Sequence, residues 1–310
     1  MRMSLQEMVF PAGTNSFMRK RKNAMKKNQT LATALMLAST TGFCLMQVFV
    51  RMSGTRIGTM QQVFFRNAVS FLIAFCSIIR AGVPVTVRHG VRWLVFIRSL
   101  FGFLAVVVLF YAFNNGRQAD VTTLSRTSAF FTTLFSALFL KEKISKVQIP
   151  ALLLCFCGAV IAFCPKFGDG ISPALLCAVL DAVFSGVAYT TLSALGGKAH
   201  PLTVVFYFSA FSCLSAGFLM IPQYVQPTAN ELYLLVLIGV TAAVGQIGLT
   251  YACQLSSAAQ MSIYSYVSIP VSMLFGLLFF QEKITVKSVI GGALVIISAL
   301  WQYGSKRKGQ

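Results

Sequence analysis

Long apolar stretches alternate with short polar connections along most of this chain. Ten stretches have about the length that a helix needs to cross ~30 Å of hydrocarbon at 1.5 Å per residue. They are continuous rather than alternating, which favours helices over a closed β-barrel, the other structure that spans a bilayer. The pattern therefore predicts an all-α polytopic membrane protein with ten transmembrane helices, at residues 31–51, 60–79, 93–113, 120–140, 147–164, 172–193, 202–221, 232–252, 258–280 and 285–302.

One short motif occurs twice, 140 positions apart: residues 138–144 read LFLKEKI and residues 278–284 read LFFQEKI. An ungapped alignment gives twelve identities over the 34 positions from 111 to 144, where about two or three are expected by chance. Each copy would hold five spans, an odd number, so the second would enter the membrane from the opposite side. We therefore expect a 5+5 inverted-topology repeat, with repeats at 29–165 and 170–304, a basic and disordered N-terminal segment at 1–28 and a basic tail at 305–310.

Composition agrees with a membrane protein, since 56% of the 310 residues are hydrophobic, 11% are charged and the mean hydropathy is +0.75. The net charge of +19 could indicate nucleic acid, but the basic residues flank spans instead of clustering on a soluble module. With a cytoplasmic N-terminus, seventeen Lys and Arg fall in inside segments and six in outside loops. The positive-inside rule then predicts that both termini are cytoplasmic. We expect a multi-pass protein of a bacterial inner (cell) membrane that attracts anionic membrane lipids and binds no nucleic acid.

The sequence around helices 3 and 4, and its second copy, is similar to the EamA module of the drug/metabolite transporter superfamily. The similarity covers about residues 31–303. It implies a central cavity lined by helices 1, 3, 4, 6, 8 and 9, and alternating-access transport of a small metabolite whose identity it does not fix. Inverted repeats are also typical of transporters on general grounds. The segments that carry the similarity are Arg98–Gly102, Phe110–Ala112, Ala119–Asp120, 138–144 and 251–284.

Four charged residues stand out because they lie away from the ends of the predicted spans: Arg66, Arg98, Arg126 and Asp181. Charges at that depth are costly, which makes them functional candidates. Three guanidinium groups and one carboxylate favour a carboxylate, phosphate or zwitterion as substrate. Arg126 and Arg98 would hold the anion, and Asp181 would take a proton or pair with an arginine. Alternatively, Arg66 and Arg126 lie ~10 Å from the outer end and serve as structural residues that snorkel to the headgroups.

Polar residues at helical spacing follow helix 4 and recur in helix 9, which indicates either a shared cavity or close helix packing. Pro270 would kink helix 9. We expect the Glu-Lys pairs of the repeated motif, including Glu282, to cap helices 5 and 10. Candidate substrate-binding residues are Arg98, Arg126, Tyr111, Ser125, Gln246, Tyr251, Tyr264 and Tyr266, and candidate coupling or gating residues are Asp181, Arg66 and Pro270. For the tyrosines an interfacial aromatic belt is the alternative, and for Gln246 an interhelical hydrogen bond.

These observations predict a secondary transporter, an exporter or exchanger of a small anionic or zwitterionic metabolite such as an amino acid, working by alternating access. A carrier of a flat aromatic metabolite, vitamin or nucleoside-like compound, or a lipid-linked flippase, stays open as an alternative. The sequence has no nucleophile with a base, no paired carboxylates and no metal-ligand cluster, so we expect no enzyme, no metal and no cofactor. It also lacks a phosphate-binding loop, which leaves protons or a counter-substrate as coupling partners.

Overall fold

A computed structural model describes residues 14–140, 172–195, 198–255, 266–283 and 285–308, together with 150, 153, 154, 157 and 158. Within these residues the chain is helical and contains no strand. Six helices are long and apolar enough to cross a membrane, and two shorter helices are also apolar. These observations confirm the prediction of an all-α membrane protein. The predicted span at 147–164 lies mostly outside the described residues.

The helices begin and end close to the predicted boundaries in most cases. The first helix begins at Thr14, within the segment expected to be disordered. The α-helices are α1 Thr14–Met52, α2 Thr59–Ala81, α3 Arg92–Asn115, α4 Gln118–Ser125, α5 Ser128–Phe139, α6 Pro173–Ala194, α7 Pro201–Met220, α8 Ala229–Leu255, α9 Ser268–Phe280 and α10 Val286–Lys308, with short 3-10 helices at His89–Val91 and Ile221–Gln223.

Helix starts and stops follow local sequence signals. Both α6 and α7 begin with proline, whose fixed φ suits the first helical turn and whose missing N–H needs no partner there. The α2 helix ends at Ala81, and the next residue, Gly82, has a left-handed φ of 61° and donates its N–H to the carbonyl of Ile79. Glycine is the residue best suited to that conformation.

The helices pack in pairs that relate the two halves of the chain. The α1–α8 and α3–α6 pairs make the most extensive contacts. A shift of 140 residues along the chain places α1 on α6 and α3 on α8, so the two pairs are equivalent under the repeat. The same shift places α2 on α7, so the α2–α7 pair is equivalent to itself. Glycines allow the close approach of α1 and α8: a Cβ atom on Gly42 would lie 3.0 Å from the carbonyl oxygen of Thr241, and one on Gly248 would lie 2.9 Å from that of Leu35. Small residues of this kind drive helix association in membranes.

The expectation of one continuous helix over residues 120–140 is wrong, because the chain forms α4 and α5 with a turn at Arg126 and Thr127. The turn tightens the backbone: the N–H of Thr127 donates to the carbonyl of Leu124 at 3.0 Å, and that of Ala129 donates to the carbonyl of Arg126 at 3.4 Å. Such i to i−3 bonds are 3-10 geometry, which often marks a functional point in a helix.

The second half repeats this turn just before α9. The N–H of Ile269 donates to the carbonyl of Tyr266 at 3.0 Å, the bond equivalent to that of Ala129 in the first half. Pro270 is the third residue of α9 and is exposed, so it lies in a first turn, where the missing N–H is tolerated. The residues just before Tyr266 lie outside the described part of the chain.

Candidate substrate-binding cavity

A polar cavity lies at the centre of the bundle, between helices of both halves. Its lining includes all four of the charged residues that the sequence places inside spans, Arg66, Arg98, Arg126 and Asp181. The cavity volume is about 70 Å³, which holds a few water molecules. A metabolite would therefore need the surrounding helices to move apart.

Two arginines face one aromatic ring in this cavity. The Cζ atom of Arg66 lies 5.5 Å from the centroid of the Phe208 ring, and that of Arg98 lies 4.6 Å from the same centroid. Both side chains are almost fully buried, with exposed fractions of 2% and 3%. Arg66 donates to the Oδ1 atom of Asn67 at 2.7 Å, while its Nε atom is buried and has no hydrogen-bond partner within the described part of the chain. For Arg66, the alternative of a side chain that snorkels to the headgroups is therefore wrong.

Space for Arg98 depends on the absence of a side chain one turn further along α3. A Cβ atom on Gly102 would lie 2.2 Å from the Nη1 atom of Arg98 and 2.8 Å from the Cε2 atom of Phe208. Real Cβ atoms do not approach that closely, so glycine at this position leaves the groove in which the guanidinium rests.

Asp181 lies on α6 opposite the turn between α4 and α5. Its carboxylate accepts hydrogen bonds from the hydroxyl of Ser125 and, at 3.1 Å, from the hydroxyl of Ser185. Among the described residues, neither Arg66 nor Arg126 has a carboxylate within ion-pair distance. The Nε atom of Arg126 is also buried, and none of the residues that the structure describes is its hydrogen-bond partner. Asp181 is thus held by hydroxyl groups and forms no direct ion pair with Arg66 or Arg126.

The remaining candidate residues are spread over the molecule. Gln246 is buried and lines the cavity. Tyr266 is buried in an apolar cluster with Ile269 and Val295. Tyr111 is 39% exposed at the end of α3. Tyr251 lies at the end of α8, where its ring makes an edge contact with His200 at 6.1 Å; Tyr264 lies outside the described residues.

Several cavity residues were not among the candidates. Gly102 and Ser185 each lie four residues after a charged candidate, Arg98 and Asp181, and so share its helix face; this spacing could have found them. Phe208 and Tyr189 also line the cavity, but aromatic residues are so frequent in this chain that no sequence signal separates them from lipid-facing ones. Within the described part of the chain, no group of three or more His, Cys, Asp or Glu could hold a metal ion.

The chain matches the model of the EamA-like transporter family at residues 30–164 and 172–303. It therefore belongs to this family, which confirms the resemblance noted from the sequence. The protein is a multi-pass membrane transporter of a small molecule, and not an enzyme.

Named relatives carry different substrates. The chain is 34% identical over 265 residues to the pseudopaline exporter CntI of Pseudomonas aeruginosa (strain UCBPP-PA14), covering 85% of this chain and 92% of that protein. It is 31% identical over 176 residues to a riboflavin transporter of Rhizobium johnstonii, covering 56% and 58%. A protein known from a crystal structure shares the fold, with a TM-score of 0.67 and 18% identity over 92% of this chain and 99% of that one.

Proposed function

We propose that this EamA-like transporter exports or exchanges a small anionic or zwitterionic metabolite, such as an amino acid, by alternating access. The observation that carries the proposal is the charge of the central cavity, whose wall contains three guanidinium groups and one carboxylate. Guanidinium groups bind carboxylates and phosphates in a bidentate manner. Burial strengthens that attraction, because the low dielectric of the interior screens charges less than water does. The similarity to a pseudopaline exporter supports outward transport.

Alternating access would be provided by two inverted repeats, at residues 29–165 and 170–304, with ten transmembrane helices in all. The two matches to the family model support this division. The equivalence of the α1–α8 and α6–α3 pairs under the repeat also supports it. In inverted repeats, rocking of one half against the other exposes a central site to each side in turn. Both termini would lie in the cytoplasm of a bacterial cell, with the basic segment 1–28 and the tail 305–310 near anionic lipid.

The test is transport by purified protein in liposomes, screened against a panel of metabolites. Arg126→Ala should lower transport of the anionic or zwitterionic substrate by about thirtyfold or more, because loss of a buried charge partner costs about 2–5 kcal/mol. Arg126→Lys should retain part of the activity, since it keeps the charge but loses the planar fork. Arg80→Ala is the matched control, because Arg80 is exposed at the end of α2. Unchanged transport of every anionic substrate by Arg126→Ala would contradict the proposal.

A second candidate is a carrier of a flat aromatic metabolite such as a vitamin. It is favoured by the similarity to a riboflavin transporter and by the aromatic side chains of Phe43, Phe110, Tyr189 and Phe208 in the cavity wall. Aromatic rings stack on such molecules with little need for charge. In that case riboflavin should be transported by the wild type and, undiminished, by Arg126→Ala.

A further inference from the structure

We propose that the ion pair between Arg51 and Glu282 is a gate, and that the buried polar side chains behind it line the path between this end of the bundle and the central cavity. The pair lies where α1 ends and α9 connects to α10. With a cytoplasmic N-terminus, as proposed above, this end faces the outside of the cell. The gate goes beyond the proposed function, because it concerns the route to the cavity and does not depend on the charge of the substrate.

Glu282 joins three elements at this end of the bundle. Its carboxylate forms an ion pair with Arg51 of α1 and accepts the N–H of Gln118, the first residue of α4, at 3.2 Å to its Oε2 atom. A carboxylate is favourable there, because the first N–H groups of a helix have no partner within it. The expectation that Glu282 caps the last helix is wrong: it caps α4. Thr285 caps α10 instead, since its Oγ1 atom accepts the N–H of Ser288 at 3.3 Å.

Local contacts fix both members of the ion pair. Gln281 follows α9 with a left-handed φ of 51°, and the N–H of Glu282 then donates to the carbonyl of Gly276 at 3.0 Å, as at a helix C-terminus. Gly276 also leaves room for the carboxylate, since a Cβ atom there would lie 2.7 Å from Oε2. The Cζ atom of Arg51 lies 4.3 Å from the centroid of the Phe280 ring. Side chains held in this way lose less entropy when they pair.

A column of buried polar side chains leads from this ion pair toward the cavity, and three helices contribute to it. The members on α4 are four residues apart, as are those on α9, and the α1 member lies four residues before Arg51, so each set shares one helix face. Each member is at most 3% exposed. The polar column consists of Gln47 on α1, Gln118 and Thr122 on α4, and Ser268 and Ser272 on α9.

Hydrogen bonds between the three helices connect the polar column to the cavity. The hydroxyl of Thr122 donates to that of Ser272 at 3.0 Å, which in turn donates to the Oε1 atom of Gln47 at 3.5 Å. The same Oε1 atom accepts from the Nε2 atom of Gln118 at 3.5 Å. Gln47 lines the central cavity, and the backbone N–H of Gln118 donates to Glu282. The column is therefore continuous from the ion pair to the cavity.

Two polar atoms of the column have no hydrogen-bond partner among the residues that the structure describes. They are the Oε1 atom of Gln118 and the hydroxyl oxygen of Ser268, and both are buried. Polar side chains that only join helices in a membrane bond to one another, and nearly all buried polar groups have a partner. Polar groups that face the interior of a bundle often mark a path for ions or substrate. The column is thus suited to a passing polar molecule rather than to packing alone.

The arginine of this ion pair has no counterpart in the second repeat. A shift of 140 residues places Arg51 on Thr191, which carries no charge and donates to the carbonyl of Val187 within its own helix at 2.7 Å. The interaction between Arg51 and Glu282 therefore belongs to one end of the path. It can break while the other end stays closed, as alternating access requires.

Labelling of the native Cys44 thiol by iodoacetamide, a small polar reagent without charge, tests the gate without knowledge of the substrate. Cys44 is fully buried on α1, and its Sγ atom lies 3.9 Å from the hydroxyl of Ser272. The rate of its labelling in purified protein, measured by peptide mass spectrometry, reports access to the polar column. The side chains of Arg51 and Glu282 are 25% and 11% exposed. For such a partly exposed pair, Arg51→Gln and Glu282→Gln should each speed labelling about two- to fivefold, and the exchange Arg51→Glu with Glu282→Arg should slow it again.

The two single variants separate opening of the gate from a direct effect of charge on the thiol. Arg51→Gln removes a positive charge and Glu282→Gln removes a negative one, so they change the potential at Cys44 in opposite directions. An electrostatic effect would speed labelling in one variant and slow it in the other, whereas opening of the gate speeds it in both. The rate at Cys177, on α6 and outside the column, is the internal reference for general loosening of the protein.

The Arg56–Glu231 ion pair is the matched control, because it lies at the same end of the bundle and is exposed. Hydrogen bonding to Glu231 raises the pKa of Arg56, so that guanidinium stays charged. Arg56→Gln should leave labelling of Cys44 unchanged, and equal acceleration by this variant would overturn the gate. The gate is also overturned unless both Arg51→Gln and Glu282→Gln speed labelling of Cys44 relative to Cys177. Failure of the proposed anion transport would not alter these rates, because labelling requires no substrate.

Discussion

Gly102 leaves the space that the Arg98 guanidinium occupies. A substitution at this position therefore tests the role of Arg98 without removing its charge. A methyl group at this position would collide with the guanidinium and with the ring of Phe208. Gly102→Ala should therefore displace Arg98 and lower transport of the anionic substrate about tenfold, equal to about 1.4 kcal/mol of lost binding. The fold should survive, because alanine favours a helix more than glycine does.

Two measurements check this prediction: transport in liposomes and the melting temperature of the same preparation. Gly90→Ala is the control, since a Cβ atom on Gly90 would meet nothing within 4 Å. Normal transport by Gly102→Ala would mean that the position of Arg98 does not matter to substrate binding.

Asp181 is the residue on which proton coupling would depend. Among the described residues it is the acidic member of the cavity wall, and it accepts hydrogen bonds in place of a direct ion pair with Arg66 or Arg126. If it carries the proton, transport by the wild type depends on a pH gradient, and Asp181→Asn, which cannot exchange a proton, removes that dependence. If a counter-substrate drives transport, an internal substrate stimulates uptake at any pH, and Asp181→Asn leaves that stimulation in place.

At the scale of helices, the α1–α8 crossing depends on glycines that bring the two backbones together. Gly248→Val should force these helices apart, because even its Cβ atom would lie 2.9 Å from the carbonyl oxygen of Leu35 and 3.2 Å from the Cβ atom of Ser39. We expect a loss of about 1–3 kcal/mol in stability and a lower melting temperature. Val244→Leu on the exposed side of the same helix is the control, and equal melting temperatures for the two variants would contradict the prediction.

The element that sequence reasoning described least well is the predicted fourth span. Its apolar run continues from 120 to 140 and contains no glycine or proline, so hydropathy predicts one helix. The break at Arg126 and Thr127 arises from neighbours, since Ser125 bonds to Asp181 on α6 and Ser128 faces the cavity. Partners on another helix cannot be found from a local pattern.

For the whole molecule, the inverted arrangement makes a prediction about the two copies of the repeated motif. Lys143→Cys and Lys283→Cys should be labelled from opposite sides of the membrane by a reagent that does not cross it, in a background that lacks the eight native cysteines. Lys283 is exposed, so accessibility at this position reports on sidedness rather than on burial. If both cysteines are labelled from the same side, the two repeats are not inverted relative to each other, and the proposed basis for alternating access is lost.

The sequence by itself determined that this chain is helical and membrane-embedded, because those properties follow from the length and continuity of apolar runs. It also indicated two related halves and four charges within the predicted spans, since repetition and charge are visible in the order of residues. Only the tertiary structure decided which of these charged side chains lie close together. Arg66 and Arg98 share one ring contributed by Phe208, and Glu282 reaches α4 rather than its own helix, because helices far apart in the chain become neighbours only when the bundle packs.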